Sequence, residues 1–430
     1  MIERFAAGDS AALKRPGGRD DPALLEAVRA IVEDVRRRGW DALVEHALRL
    51  DGAAPELVAV APYAAEARRS LPAEAIAAMT LARRNIENFH RQTLPRDVEV
   101  VTMPGLSVAK QWRPLTSAGL YVPGGRAPLF STLMMLAIPA RVAGVEQLTV
   151  VTPPRRGGGL DPAIALAAEQ CGIDAIWTAG GAQAIAALAF GAGDIPAVDR
   201  IAGPGNAWVA AAKALVASLP GGPGIDLPAG PSELMVIADA SADPATVAAD
   251  LLSQAEHDPS AQVILVTPDA ALIDAVEREW DGQVAAMDGA FAPVRAIRVA
   301  DLDEAVTIAN AYAPEHLSLA TDAAETLIAR ITSAGAIFAG HHAAETFGDY
   351  LAGSSHVLPT DGAARFTGGV STLSFMKAIT VQRVSPEAAR SMSAPAAALA
   401  RLEGLEAHAR AAEARGGEAP GWASTTGARA

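Results

Sequence analysis

From Arg113-Pro114 onward, short β-branched runs alternate with alanine-rich helical stretches, and few folds accommodate that rhythm. Residues 119–125 read as a strand entering a tight glycine turn, and residues 131–143 as the helix beyond it. Residues 147–152 and 175–178 read as strands, 164–170 and 182–190 as helices. Such repetition predicts a parallel sheet with right-handed crossovers. A second α/β set starts at residues 234–239, with further strands at 262–268, 297–299 and 336–339 and a helix at 302–311. The run Gln262-Val-Ile-Leu-Val-Thr-Pro268 echoes Gln147-Leu-Thr-Val-Val-Thr-Pro153, 115 residues earlier, and hints at two related halves. Before this region, residues 22–50 and 72–92 carry helical apolar spacing, with His46 and His90 as ordinary surface or packing residues. After Pro386 the chain reads as helical to about Arg415 and ends in a Gly/Ser/Thr tail expected to fray.

A chain of 430 residues can bury a sizeable core in two or three domains. A net charge of −14 disfavours wrapping a phosphate backbone, which needs a basic surface, so small-molecule substrates fit better. Cys171 is the single cysteine, which excludes an intrachain disulfide and leaves any zinc to His, carboxylate or amide ligands. The early acids Glu3 and Asp9, without a signal-type apolar run, give no export signal, and the lone cysteine suits a reducing cytoplasm. Residues 175–193 form the longest uncharged stretch, but Gly180, Gly181 and Gln183 interrupt it, and it reads as buried core.

Chemistry-bearing residues are scattered. Gln254 and His257 lie at i and i+3 near the end of a helix expected to run to Pro259, which places them on one face. An imidazole suits Zn²⁺ but a neutral amide is a poor ligand, so such a site needs further ligands from far along the chain. Glu315 and His316 sit side by side after a helix and behind Pro314, a pair able to divide general-base work. His341-His342 with Glu345 matches no metalloprotease signature and reads as a solvated loop, and Gly348-Asp-Tyr350 and His356 read as a further loop. Glu403 and His408 fall five apart in the last helix. The pool of candidate metal ligands is Gln254, His257, Asp349 and His408, and spacing does not show that they meet. Gly203-Pro-Gly-Asn206 and Gly221-Gly-Pro-Gly224 are glycine-rich without the strand and distal acid of a dinucleotide fingerprint, so a bound nucleotide would sit atypically.

Eight ordered segments resemble the signature blocks of the histidinol dehydrogenase family: Ser117-Ala-Gly-Leu-Tyr-Val-Pro-Gly-Gly125, Gly180-Gly-Ala-Gln-Ala-Ile185, Gly203-Pro-Gly-Asn206, Asp226-Leu-Pro-Ala-Gly-Pro-Ser-Glu233, Gln254-Ala-Glu-His257, Ala313-Pro-Glu-His316, Gly348-Asp-Tyr350 and His356-Val-Leu-Pro359. The likeness implies a zinc-dependent, NAD-linked oxidation of L-histidinol to L-histidine through an enzyme-held aldehyde, the last step of histidine synthesis. It implies Gln254, His257, Asp349 and His408 as ligands of one Zn²⁺ per subunit, His316 as acceptor of the alcohol proton and Glu315 as activator of water. Ser232, His356 and Glu403 match substrate-contacting positions alongside the ligands and His316; Tyr121, Gln183 and Asn206 match positions that contact NAD.

The implied fold is α/β, two incomplete Rossmann-like domains plus small terminal helical segments, assembled as an intertwined cytoplasmic homodimer. Its division is a segment 1–14, a metal and catalytic domain of 15–120 with 233–366, an NAD-side domain of 121–232, and a C-terminal arm, 367–430, that brings Glu403 and His408 to the neighbouring subunit. The chain departs from the family's usual residues at Ser354-Ser355, Ala344 and Trp40; the first lies beside His356, and the others read as remote from the chemistry. A paralogue oxidising another small polar alcohol with the same zinc and NAD is the alternative within the enzyme class. A silent scaffold is the alternative outside it, and the intact Glu315/His316 pair speaks against that.

Overall fold

The computed structural model describes residues 2–15, 21–124, 128–155, 157–227 and 230–417. The end of the glycine turn at Gly125, the Pro228-Ala229 step and the tail beyond Gly417 lie outside the described residues. In chain order the strands are β1 (Glu3–Ala6), β2 (Leu57–Ala59), β3 (Val98–Met103), β4 (Leu106–Pro114), β5 (Ser117–Tyr121), β6 (Gln147–Thr152), β7 (Ala175–Thr178), β8 (Arg200–Ala202), β9 (Gly224–Ile225), β10 (Glu233–Ala238), β11 (Gln262–Thr267), β12 (Val294–Arg298), β13 (His316–Ala320), β14 (Ala336–Ala339) and β15 (Met376–Val384). Two six-stranded sheets have the orders β2-β7-β6-β5-β8-β9 and β1-β12-β11-β10-β13-β14. Apart from the antiparallel β2–β7 pair, their strands run parallel. Both sheets step outward from a central strand, reverse to its other side, and close one edge with a strand from much earlier in the chain. The echoing runs occupy equivalent places, as β6 and β11.

Contacts divide the chain into two compact units, residues 1–94 with 115–375 and residues 95–114 with 376–430. The first unit holds both parallel sheets; the inner strands β10 and β11 are mostly apolar and buried at every residue, as expected for strands covered on both faces. The second unit holds an antiparallel sheet of order β15-β4-β3, which the alternation of residues 113 onward did not foretell, and the helices Pro386–Leu402 and Glu406–Glu413. Among the described residues, no helix is long and apolar enough to cross a membrane. The uncharged stretch 175–193 contains β7 and the buried helix Gly181–Phe190.

Three helical expectations are corrected. Residues 22–50 form two helices, Pro22–Arg38 and Trp40–Leu50, broken at Gly39, whose φ of +59° stops the first. Gly404, at φ +76°, likewise splits the C-terminal helix, so Glu403 caps one helix and His408 lies in the next. The helix carrying Gln254 is Pro244–Ala255, started by the Asp243 side chain on the amide of Ala245. It ends well before Pro259, and His257 lies one residue past its cap, its amide donating to the Gln254 carbonyl at 3.3 Å.

Candidate active site

Parallel pairing of β10 with β13 sets Leu234 opposite His316, so the peptide of Glu233 lies beside the Glu315-His316 pair at the amino-terminal edge of the sheet. β13 was not expected from sequence: His-Leu-Ser-Leu-Ala has no β-branched residue, and only long-range pairing makes it a strand. The Glu233 N–H donates to Glu315 Oε2 at 2.8 Å, and its carbonyl lies 3.2 Å from His316 Nδ1. A carbonyl only accepts, so His316 carries its proton on Nδ1 and leaves Nε2 as an acceptor. Nε2 is buried and has no hydrogen-bond partner.

The helix Glu345–Tyr350 supplies Glu345 and Asp349 from one face at i and i+4. Glu345 Oε1 lies 3.5 Å from His316 Nδ1, and Asp349 Oδ1 lies 3.8 Å from His316 Nε2. Gly348 and Asp349 are therefore helical and not part of a loop, and Glu345 is buried at 2% exposure where a solvated loop was expected. Ala344, read as remote, directly precedes this residue. Only the helical spacing of Glu345 and Asp349 could have flagged Glu345 beforehand. Trp40, the other departure, packs edge-on against Trp177.

Electrostatically the pocket is a buried cluster of carboxyl groups. Burial lifts Glu315 and Glu345 well above the usual carboxylate range, and neighbouring carboxylates add to it. Burial also raises Asp349 and Asp250 to about 6, and it lowers His316 to about 3 and His356 to about 4. His356 donates from Nδ1 to the Asp349 carbonyl at 3.0 Å and accepts the Thr132 hydroxyl at Nε2, 3.1 Å away. His257, exposed, is near enough to depress the protonation of both His316 and His356. Ser232 is half-buried at the head of β10.

The donor set suits a divalent cation. His316, Glu345 and Asp349 offer ligand atoms within 4.8 Å of one another. Gln254 is fully buried, yet neither its Oε1 nor its Nε2 has a partner, and one Glu345 oxygen is also unpartnered. Leaving such groups unengaged is costly, and a cation held by oxygen and imidazole ligands would offset the crowded carboxylates of Glu345 and Asp349. Glu403 and His408 belong to the second unit, where both are exposed.

The residues expected to meet NAD belong to the other parallel sheet. Tyr121 ends β5 and its hydroxyl accepts the Gly181 N–H at 3.2 Å; burial pushes that phenol up to about 12. Gln183 is buried, its Nε2 donating to Asp51 at 3.0 Å and its Oε1 unpartnered, which leaves one acceptor for a ligand. Asp51 also takes the Gly180 N–H at 3.1 Å, so the amides where dinucleotide folds seat a pyrophosphate are already engaged. Asn206 caps the helix Ala207–Ser218. Its loop is held by the buried Lys213, which pairs with Asp226 and donates to the Gly203 carbonyl at 2.8 Å, while Asp226 accepts the Gly203 N–H at 2.7 Å. Gly203 has φ +130°, and a Cβ there would strike the Tyr121 carbonyl.

Fold and site together describe an α/β protein with a Glu/His pair buried among carboxyl groups. More narrowly, the chain belongs to the histidinol dehydrogenase family of oxidoreductases, whose model matches residues 14–416. It is 46% identical over 416 residues to the histidinol dehydrogenase of Xanthomonas campestris pv. campestris, covering 95% of this chain and 96% of that one. The Rhizobium meliloti histidinol dehydrogenase is 45% identical over 398 residues, 90% of this chain and 91% of the relative. The crystal structure of histidinol dehydrogenase from Elizabethkingia anophelis superposes with a TM-score of 0.91 at 37% identity, covering 96% and 98% of the two chains.

Proposed function

We propose that the protein oxidises L-histidinol to L-histidine through L-histidinaldehyde, a four-electron reaction using two NAD⁺ and one water, as the closing step of histidine synthesis in the cytoplasm. The observation that carries this reading is the buried Glu315/His316 pair, with His316 Nε2 unpartnered, in a family member whose Gln254 amide awaits a partner. Gln254, His257, Asp349 and His408 would hold Zn²⁺, and Tyr121, Gln183 and Asn206 would contact NAD. When bound, Zn²⁺ supplies a Lewis-acid anchor for the substrate's imidazole and amine, and NAD⁺ the hydride acceptor of each oxidation.

His316 takes the proton of the substrate hydroxyl on Nε2, because Nδ1 is committed to the Glu233 carbonyl. The imidazolium formed there faces the Glu315 and Glu345 carboxyl groups at 3.6 and 3.5 Å. Glu315 takes a proton from the water that adds to the aldehyde, and its burial raises its affinity for that proton. Ser232, His356 and Glu403 position the substrate, with the carboxylate of Glu403 matched to a cationic group.

The chemistry is assigned to residues 15–120 with 233–366 and NAD to residues 121–232, as two incomplete Rossmann-like halves. The C-terminal arm completes the site of a second subunit in a homodimer, with Glu403 and His408 crossing over. Exposure of Leu399 at 67% and Leu402 at 84% on that arm supports a covering partner. Zinc-loaded protein incubated with L-histidinol and NAD⁺ tests the reading: two NADH per histidine are expected, and no NADH would overturn it.

A further inference from the structure

The backbone of one residue, Glu233, holds both members of the acid–base pair, through its N–H to Glu315 and its carbonyl to His316. What fixes that backbone is the residue's own side chain. The Glu233 carboxylate, 1% exposed, receives Arg15 through Nε at 2.5 Å and Nη2 at 2.9 Å, and the Asp361 N–H at 3.0 Å. Such a two-point guanidinium grip fixes orientation as well as charge. Arg15 reaches further. Its Nη2 also donates to the Tyr312 carbonyl at 2.8 Å, and its guanidinium stacks 3.8 Å over the Tyr312 ring. Those contacts pin the end of the helix Leu302–Tyr312 where Ala313 takes the left-handed conformation, φ +56°, before the chain turns into Glu315. Left-handed backbone at an alanine persists only where its surroundings over-determine it. Arg15 thus ties together the two segments whose relative placement sets the Glu315/His316 geometry, from a position more than 200 residues away in sequence.

We propose that Glu233, clamped by Arg15, is a positioning residue that locks His316 in its Nδ1–H form and aims Nε2 at the substrate hydroxyl. The proposal rests on the roles given above to Glu315 and His316. Arg15 and Glu233 both act through the Glu233 backbone, whose N–H and carbonyl meet the pair. Arg15→Lys keeps the charge but loses the fork and the stacking, and Glu233→Gln keeps the shape but loses the charge on the clamp.

The test uses Glu233→Gln, Arg15→Lys and the charge-free double variant Arg15→Met/Glu233→Gln, which leaves no buried charge unpaired and so guards against a single variant that fails to fold. Steady-state kinetics with L-histidinol, and ¹⁵N NMR of histidine-labelled protein, are read for each. Folded variants should lose roughly 10- to 100-fold in kcat, the usual effect of removing a group that orients another, with KM changed by less than about threefold. The His316 resonances should move from the Nδ1–H pattern toward a mixture of tautomers. Wild-type kcat with an unchanged His316 spectrum in the double variant would overturn the proposal. Wild-type protein that forms no NADH, or His316→Gln at full rate, would instead overturn the underlying functional reading, so the two failures are separable.

Discussion

His90 offers a test of how burial sets protonation, away from the catalytic pocket. It completes the buried stripe Met79, Ala82, Ile86 and His90 of the helix Ala73–Gln92, and neither ring nitrogen has a hydrogen-bond partner. Burial depresses its pKa from 6.5 to about 4. Below pH 6.5 the unfolded chain therefore binds a proton that the folded chain refuses, and folding loses stability as pH falls toward 4. A separation of two to three units, at about 1.4 kcal/mol each, sets a limit of roughly 3 kcal/mol, of which about 2 kcal/mol is lost by pH 5. Above pH 7 both states carry a neutral ring and the effect vanishes. His90→Leu keeps an apolar side chain of similar bulk and removes the titration. Urea unfolding of wild type and variant at pH 7.5 and pH 5 isolates this residue, since the other titrating groups cancel in the double difference. The variant should gain about 2 kcal/mol on wild type between the two pH values. A double difference below about 0.5 kcal/mol would show that His90 is solvated or partnered in the folded state, and the argument from burial would fail.

Three further outcomes follow from the pocket and its supports. Glu315→Gln cannot accept a proton from water, so the aldehyde step should slow by roughly 10²- to 10⁴-fold while alcohol oxidation persists. Rapid-mixing experiments should then find one NADH per site in the fast phase, and two at the wild-type rate would refute the role. His408→Ala, and wild type stripped by a chelator, should both lack zinc by atomic absorption and lack turnover. Only the stripped wild type should recover on adding Zn²⁺, and a variant with full metal content and normal rate would remove His408 from the ligand set. Lys213→Met leaves Asp226 buried without its cation and should cost about 3 to 5 kcal/mol in urea unfolding, most of it recovered in Lys213→Met/Asp226→Leu; a loss below about 1 kcal/mol would show that the pair does not clamp the Gly203 loop.

The parallel sheets were legible in their short β-branched and apolar runs, and β6, β7 and β14 span the residues expected of them. Less visible were elements whose identity depends on distant partners. β13 has ordinary loop composition and becomes a strand by lying against β10. β3 and β4 pair as a local hairpin, but the pairing of β4 with β15 spans more than 260 residues and is not encoded locally. The site shows the same split. Glu315 and His316 stand out as neighbours, whereas Glu345 and Asp250 look like ordinary helix acids until folding brings Asp250 and Asp349 near Glu345. Family resemblance pointed to Gln254, but only the three-dimensional packing reveals that its amide is sealed away with nothing to bond.

The two parallel sheets also differ in when their strands become available during synthesis. β5 to β9 occupy one continuous stretch, residues 117–225, and need only β2 from upstream. β1 must wait for β12, so roughly 290 residues emerge from the ribosome before its partner exists, a long loop to close. Meanwhile it travels as Glu3-Arg-Phe-Ala, two of its four residues charged, a composition that discourages wrong pairing by a strand with no sheet yet to join.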